Sequence, residues 1–385
     1  ARWGLVMGGA IAIGGSLSLG GCVFLNSCYG SAEAGCGSGS EVGSEAGTSA
    51  GSEAGTSAGS GGESEGSGSG ATTTGGATTG GATTGASTGA TTGATTGATT
   101  GATGEPTAPS LCGLPIGGWT IAPPELLPVQ PPSWETDPVL LSDGQTLFFS
   151  ALGAGPDSFR ALRGGFDQPF GEIFLSNNDL NLNTPASESK VRLSQDLLRA
   201  YLVSNRATAL GTDFFVASRP GPGLPFGPAE IVFSQPGDDL DLHVSADELR
   251  IYFAWRSEPS QPLDLYVTER ATIDAPFIAP TPLVGVNDPM YSDASPGLSK
   301  DERTLVFASR RLGGVGKLDV FVATRADPKG PFEAPTPVAG LDSPEFEEGE
   351  PSLAEGPDGC EIFFVSGKPT MGMKWDLMRA KIVPK

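Results

Sequence analysis

The sequence predicts an all-β chain, a single β-propeller of five four-stranded blades behind a long low-complexity segment. Three observations carry that reading. One spacing repeats without a gap: Asp157, Arg163 and Pro169-Phe170; Asp213, Arg219 and Pro225-Phe226; Asp264, Arg270 and Pro276-Phe277; Asp319, Arg325 and Pro331-Phe332. Turn signals at Leu141-Ser142, Leu193-Ser194, Val244-Ser245, Leu298-Ser299 and Leu353-Ala354 recur at intervals of 52, 51, 54 and 55 residues. A period near fifty with several short strands per unit marks propeller blades. Within residues 293–341, four short strand-like runs are separated by turn residues, as in an antiparallel meander.

The chain opens on Arg2 and an uncharged, largely apolar run, residues 3–21, which ends in Leu19-Gly20-Gly21-Cys22. About twenty apolar residues are enough to span a bilayer. Seven glycines make this run a poor helix. A basic start, an apolar stretch and small residues before a cleavage point instead describe a secretory signal. The Leu-Gly-Gly-Cys end resembles a bacterial lipobox, which implies a lipid on Cys22. The expected organisation is therefore a signal peptide at 1–21 and a lipid-anchor region at 22–30. Val23 follows the Cys, in place of the Asp that holds lipoproteins at the inner membrane of enteric bacteria, so the outer membrane is the expected address.

Residues 31–110 repeat GSEAGTSA-like and GATT-like units, with seven acids and no Lys or Arg. Such sequence buries too little apolar surface to offset its ordering entropy, so a disordered linker is expected. As a Gly-rich coil it would reach about 50 Å. The 275 residues from 111 to 385 remain to build a core. The net charge of −21 argues against nucleic acid, whose phosphates require a basic surface.

From Leu111 the composition turns to branched, aromatic and Pro-punctuated segments. Blade one begins with the hairpin Asp137–Ser150, turning at Ser142-Asp143-Gly144. Blades two, three and four follow the same scheme. In the third strand of blade four, residues 319–325, both faces are mainly apolar, as a sheet between two neighbours requires. The fifth copy ends at Lys385 after three strands and lacks the Pro-Phe element. Residues 119–129, WTIAPPELLPV, match the outer piece of the other blades, FEAPTPV at 332–338. The N-terminal strand is thus expected to complete blade five and close the ring, which removes open sheet edges.

The units LSKDERTLVFASRRLGGVGKLDVFVATR (298–325) and LSDGQTLFFS (141–150) resemble the WD40-like repeats of TolB-type periplasmic propellers, which also occur in envelope lipoproteins. The resemblance covers residues 111–385. It implies a non-catalytic binding or scaffold module in the bacterial cell envelope, with the propeller in the periplasm or at the cell surface. A protein or a cell-wall glycan is the expected partner. Two features depart from the family: TolB has six blades, and Trp375-Asp376 lacks the Gly-His partner of true WD repeats.

Five residues before the turn signals stand Thr136, Glu188, Asp239, Asp293 and Glu348. Four carboxylates at the start of the innermost strands would ring the channel mouth, which suits a cation or a glycan-processing enzyme. The preferred expectation is structural. The start of one hairpin strand faces the end of the other, so Asp239–Arg256 and Asp293–Arg310 are expected as cross-strand ion pairs. On the same rim, Trp255, Arg311, Arg256, Arg310 and Arg206 form the expected partner surface, Arg311 having no acid assigned by the repeat. His243, the sole histidine, is expected in the core or lining the channel. No nucleophile elbow, phosphate loop or Cys/His metal spacing is present, so no metal or cofactor is expected. Cys112 and Cys360 are placed by strand direction at one rim, where a disulfide would staple the closure.

Overall fold

In a computed structural model, the structure describes residues 110–385 apart from 116, 130–134, 153–155, 177–178, 208–210, 259, 316, 357–358 and 368–374. Cys22, the 1–21 and 22–30 segments and the linker up to residue 109 lie outside the described residues. Five antiparallel sheets follow one another along the chain. Blade one comprises Glu135–Leu140, Thr146–Leu152, Pro156–Leu162 and Ile173–Leu175. Blade two comprises Glu188–Leu193, Arg199–Ser204, Asp213–Ser218 and Glu230–Phe233. Blade three runs through Asp238–Val244, Arg250–Arg256, Asp264–Glu269 and Thr281–Pro282. Blade four runs through Asp293–Leu298, Thr304–Ser309, Asp319–Thr324 and Thr336–Pro337.

Blade five takes three strands from the C-terminal end, Glu347–Gly356, Gly359–Gly367 and Asp376–Pro384. Its outer positions come from the other end of the chain: Trp119–Ile121 pairs with Ile382–Pro384, and Glu125–Leu126 pairs with Met378 and Arg379. The fold is a five-bladed propeller closed by its N-terminal strand, as the sequence predicts. No helix among the described residues is long and apolar enough to cross a membrane.

The cores lie between blades, because each sheet buries both faces. Phe148 of blade one meets Leu202 and Phe215 of blade two. Phe214 of blade two meets Phe253 of blade three edge to face, with ring centroids 5.4 Å apart. Tyr252 and Leu265 pack on Phe307 and Phe321 of blade four. Val306 and Val320 pack on Ile362 and Phe364 of blade five, and Phe363 closes on Phe149 and Phe170 of blade one.

The repeated Asp-Arg-Pro-Phe spacing has a physical cause at its Arg and Phe. Arg163, Arg219, Arg270 and Arg325 each donate through Nε to a carbonyl in the first hairpin turn, at Gly144, Leu197, Glu248 and Glu302, over 2.6–2.9 Å. The same guanidinium lies over the Phe of its Pro-Phe pair, 4.3–4.8 Å from the centroids of Phe170, Phe226, Phe277 and Phe332. One Arg per blade therefore ties the inner hairpin to the outer strand. In blade five the register puts Ile382 at that place.

Neighbouring blades are latched on the hairpin-turn rim. Arg199 of blade two forks onto Glu248 of blade three, with contacts of 2.5 and 2.6 Å, and Tyr201 donates to the same carboxylate. Arg250 and Tyr252 of blade three repeat this on Glu302 of blade four. Between blades five and one the latch is Arg163 with Glu361, both side chains fully buried.

Candidate functional site

The acids at the strand starts are buried and face the segments that arrive from the preceding blade. Glu188 accepts from the Thr184 amide at 2.9 Å, Asp239 from that of Gln235 at 2.7 Å and Asp293 from that of Asp288 at 2.8 Å. Glu348 accepts from the Ser343 amide, while burial pushes its carboxyl up to about 7. These carboxylates clamp inter-blade connections by charge-assisted hydrogen bonds.

The structure corrects three expectations. Blade one does not lack the acid. Leu140, not Leu141, is the register equivalent of Leu193, since Leu140 faces Leu147 as Leu193 faces Ala200. Five residues earlier stands Glu135, fully buried, its amide bonded to the Trp375 carbonyl as that of Asp293 is to Leu263. Next, the ion pairs fall one residue further along. Asp293 faces Ser309, so residue 311 shares the face of the acid and residue 310 points the other way. Arg311 therefore pairs with Asp293, and Arg310 reaches Glu347 of blade five at 2.9 Å. Arg206 pairs with Glu188 in the same manner at 3.1 Å.

Finally, Arg311 is not unassigned. It is held by Asp293, the Val286 carbonyl and Ser309, and lies over Phe307 and Phe321. Trp255 donates its indole N–H to the Pro236 carbonyl and packs edge-on against Tyr266. Asp239 faces Trp255, and Arg256 faces Asp238. The expected partner surface is thus largely engaged with its own blades.

Two residues beyond each strand-start acid the first strand carries a bulge, and the sequence reasoning missed what it does. Asp137, Lys190, Asp241, Ser295 and Glu350 all adopt left-handed backbone, with φ between 52 and 60°. Each such non-glycine position costs about 1–3 kcal/mol and persists only where its surroundings over-determine it. The five side chains meet around the axis. Lys190 Nζ lies 2.7 Å from Asp137 and 3.5 Å from Asp241. Asp241 accepts from the Ser295 amide and hydroxyl at 3.1 Å, and Glu350 from the Asp137 amide at 2.5 Å. Burial, then the Asp137 charge, holds the Glu350 carboxyl well above its usual range. The repeated carboxylates at alternate positions were the available signal; the bulge that turns them onto the axis was not visible.

The next layer comprises Val139, Arg192, His243, Gly297 and Ser352. Gly297 must be small there, because a Cβ would lie 2.7 Å from the Pro351 carbonyl oxygen. Arg192 and His243 line a cavity of about 180 Å³ that opens at the hairpin-turn rim, the rim opposite the expected partner surface. Leu140, Leu193, Val244, Leu298 and Leu353 give its wall an aliphatic band, and hairpin-turn residues such as Ser194, Ser245, Ser299 and Glu355 give it a polar one. Arg192 donates through Nε to the Leu242 carbonyl at 2.9 Å. Burial lowers its pKa to about 10, still a cation at neutral pH. Burial, then the Arg192 charge, depresses His243 well below its ordinary value. Tyr201, also on the wall, is pushed up to about 12 by burial and by Glu248.

Cys112 and Cys360 form a disulfide, Cα atoms 5.9 Å apart. The short hairpin Ser110–Leu111 with Leu114–Pro115 brings Cys112 back to the turn of blade five. With Glu355 these sulfurs offer three ligand atoms within 4.8 Å of one another, but the disulfide engages both sulfurs.

No family model matches the sequence, and no curated protein matches it. Among solved structures, the α-L-arabinofuranosidase PaAbf62A from Podospora anserina, in complex with cellotriose, is similar at a TM-score of 0.50 and 12% identity, over 69% of this chain and 96% of that one. A thermostable family-43 glycoside hydrolase gives 0.44 and 17%, over 67% and 91%. A putative TolB from Agrobacterium tumefaciens gives 0.40 and 17%, over 63% and 73%. At these identities the likeness extends to the fold alone.

Proposed function

We propose that this propeller is a binding module whose ligand enters the hairpin-turn end of the central channel. The observation that carries the reading is the division of labour between the two rims. At one rim the repeated acids and arginines are engaged with each other and with inter-blade connections. At the other, five aliphatic strand ends, Arg192, His243 and polar residues of the hairpin turns line an open cavity. A concave, mostly apolar pocket with a few convergent polar groups is the usual form of a ligand site. The glycan-processing alternative needs two carboxylates flanking a bound sugar. The axial carboxylates of Asp137, Asp241 and Glu350 do not line the cavity, and those that do are engaged: Glu248 by Arg199, Glu361 by Arg163, Glu355 by the Lys300 amide and Asp143 by its own turn.

Filling the cavity tests this. Leu193→Trp and Val244→Trp in the full chain are expected to abolish capture of the protein or glycan partner from an envelope extract. Both side chains also pack in part on inter-blade cores, so a cost of about 1–3 kcal/mol is expected, and the melting temperature should fall by no more than about 10 °C. Trp255→Ala on the opposite rim should leave capture intact. Loss of capture with Trp255→Ala alone would move the site to that rim. Hydrolysis of aryl glycosides by the full chain, lost in Asp137→Asn, would replace binding by catalysis.

We also propose that the module is held at the outer membrane of a bacterial envelope by a lipid on Cys22. The Leu-Gly-Gly-Cys sequence after an apolar run supports this. Cys22→Ser is expected to move the protein from the membrane fraction to the soluble one. Retention in the membrane would assign anchoring to residues 3–21.

A further inference from the structure

We infer that the cavity binds a carboxylate carried on a short aliphatic group, with Arg192 gripping both carboxylate oxygens and His243 donating through Nε2. This rests on the reading of the cavity as the binding site and names what it recognises. Three observations converge on it.

The first is the hydrogen-bonding state of Arg192. A guanidinium has five N–H donors in a fixed fork and no acceptor. Nε is bonded to the Leu242 carbonyl, and the terminal nitrogens make no hydrogen bond among the described residues. Asp137 and Asp241 act on Arg192 through space, while Lys190 and Ser295 contact their carboxylates directly. A half-buried guanidinium with an open fork beside a cavity matches a planar, bidentate acceptor.

The second is the tautomer of His243. Its Nδ1 accepts from the Leu298 amide at 3.4 Å, which puts the proton of the neutral ring on Nε2. Burial and the neighbouring guanidinium keep the ring neutral, so it offers the cavity one donor. Arg192 and His243 thus contribute donors, with the one side-chain acceptor of the pair, Nδ1, already taken by the Leu298 amide.

The third is the wall. The carboxylates that line it are already engaged: Glu248 by Arg199 and Tyr201, Glu361 by Arg163, Glu355 by the Lys300 amide, and Asp143 by the Gln145 and Thr146 amides. They leave the Arg192 fork open, but they disfavour a dianion such as phosphate. Leu140, Leu193, Val244, Leu298 and Leu353 supply an aliphatic band between them and the floor. A cavity of about 150 Å³ holds a benzene-sized group, so the 180 Å³ here fits the body of a leucine or a branched five- or six-carbon acid.

That chemistry has two sources, a free short-chain acid or the C-terminal residue of a polypeptide. Calorimetric titration of the full chain separates them. The ligands are 4-methylpentanoate, acetyl-Ala-Leu with a free carboxylate, and the primary amide of each. Each acid that binds is expected to do so at least about tenfold more tightly than its amide, the effect of one charge-assisted bidentate contact. Arg192→Gln should remove that preference and Arg192→Lys should retain part of it, both with unchanged near-ultraviolet dichroism. His243→Phe should weaken both acids several-fold. Binding of the peptide alone identifies a chain terminus as the ligand, and binding of the free acid alone identifies a small molecule. Equal binding of acid and amide overturns the carboxylate assignment and leaves the cavity as the site. No binding of any of the four overturns the assignment as well, and capture that still depends on Leu193→Trp then preserves the binding-module reading. Arg192→Gln with an unaltered acid preference sinks the role given to Arg192.

Discussion

Reduction of the Cys112–Cys360 disulfide is expected to lower the stability of the propeller by on the order of 5 kcal/mol in the chain-entropy account. The bond joins residues 248 apart, so it constrains most of the folded chain in the unfolded state. It also fixes the hairpin that precedes the three-residue strand Trp119–Ile121, the piece that completes blade five. For a domain of this size, about 1 kcal/mol corresponds to 2–4 °C, so melting should fall by roughly 10–20 °C. Thermal melts of the full chain with and without reductant check this, with Cys112→Ser and Cys360→Ser as controls that spare the other cysteines. A melting point that moves by less than a few degrees in all three cases would show that the ring closes by packing alone.

Removal of Glu361 is the second large effect. Its carboxylate takes a fork from Arg163, at 2.6 and 3.1 Å, with both side chains shielded from solvent. Arg163 is also bonded to the Gly144 carbonyl and lies over Phe170, so it stays in place when its partner is lost. Glu361→Ala then leaves an uncompensated buried cation, at a cost of about 3–5 kcal/mol. Glu361→Gln keeps the shape and some hydrogen bonding and should cost less. The double change Arg163→Met with Glu361→Leu should recover most of the loss, because a buried ion pair can often be replaced by apolar groups of similar volume. Urea midpoints at constant slope measure all three variants. A double variant no more stable than Glu361→Ala would assign the loss to Arg163's contacts with the turn and Phe170, or to Arg379, which lies 3.5 Å from Glu361, instead of to the Arg163–Glu361 pair.

Fold and site differ in how far they can be read from residues alone. The Arg-to-Phe spacing was legible because one guanidinium makes the same two contacts in four blades, and those contacts fix the spacing. The closure by residues 119–129 was legible because the outer strand has a composition of its own. The pairings at the strand starts were not. Asp293 was matched to Arg310 by a count along the hairpin, and a count that is off by one turns a side chain to the other face. In blade one, two consecutive leucines hid the equivalence of Leu140 with Leu193, and with it the role of Glu135.

The candidate site was the least legible part. His243 was placed near the channel, but Arg192 was not singled out, since a lone arginine on a strand carries no mark of what it faces. Its partners come from the next blade, fifty residues away. The bulge at Asp137, Lys190, Asp241, Ser295 and Glu350 is equally silent in sequence. Four residue types, Asp twice, occupy one backbone conformation at these five positions, so no glycine advertises them as left-handed.

The two ends of the described chain meet in blade five, and this has a mechanical consequence. Any pull delivered along the chain from upstream of residue 110 reaches the propeller at Leu111, buried against blade five, and then at Cys112. Through hydrogen bonds alone it would peel Trp119–Ile121 from Ile382–Pro384 one rung at a time, the weakest direction for a ladder of three residues. The covalent link to Cys360 diverts the tension to the turn before the nine-residue strand Gly359–Gly367, which has neighbours on both sides. Oxidised, the ring resists traction with its best-supported strands; reduced, it opens at its thinnest edge.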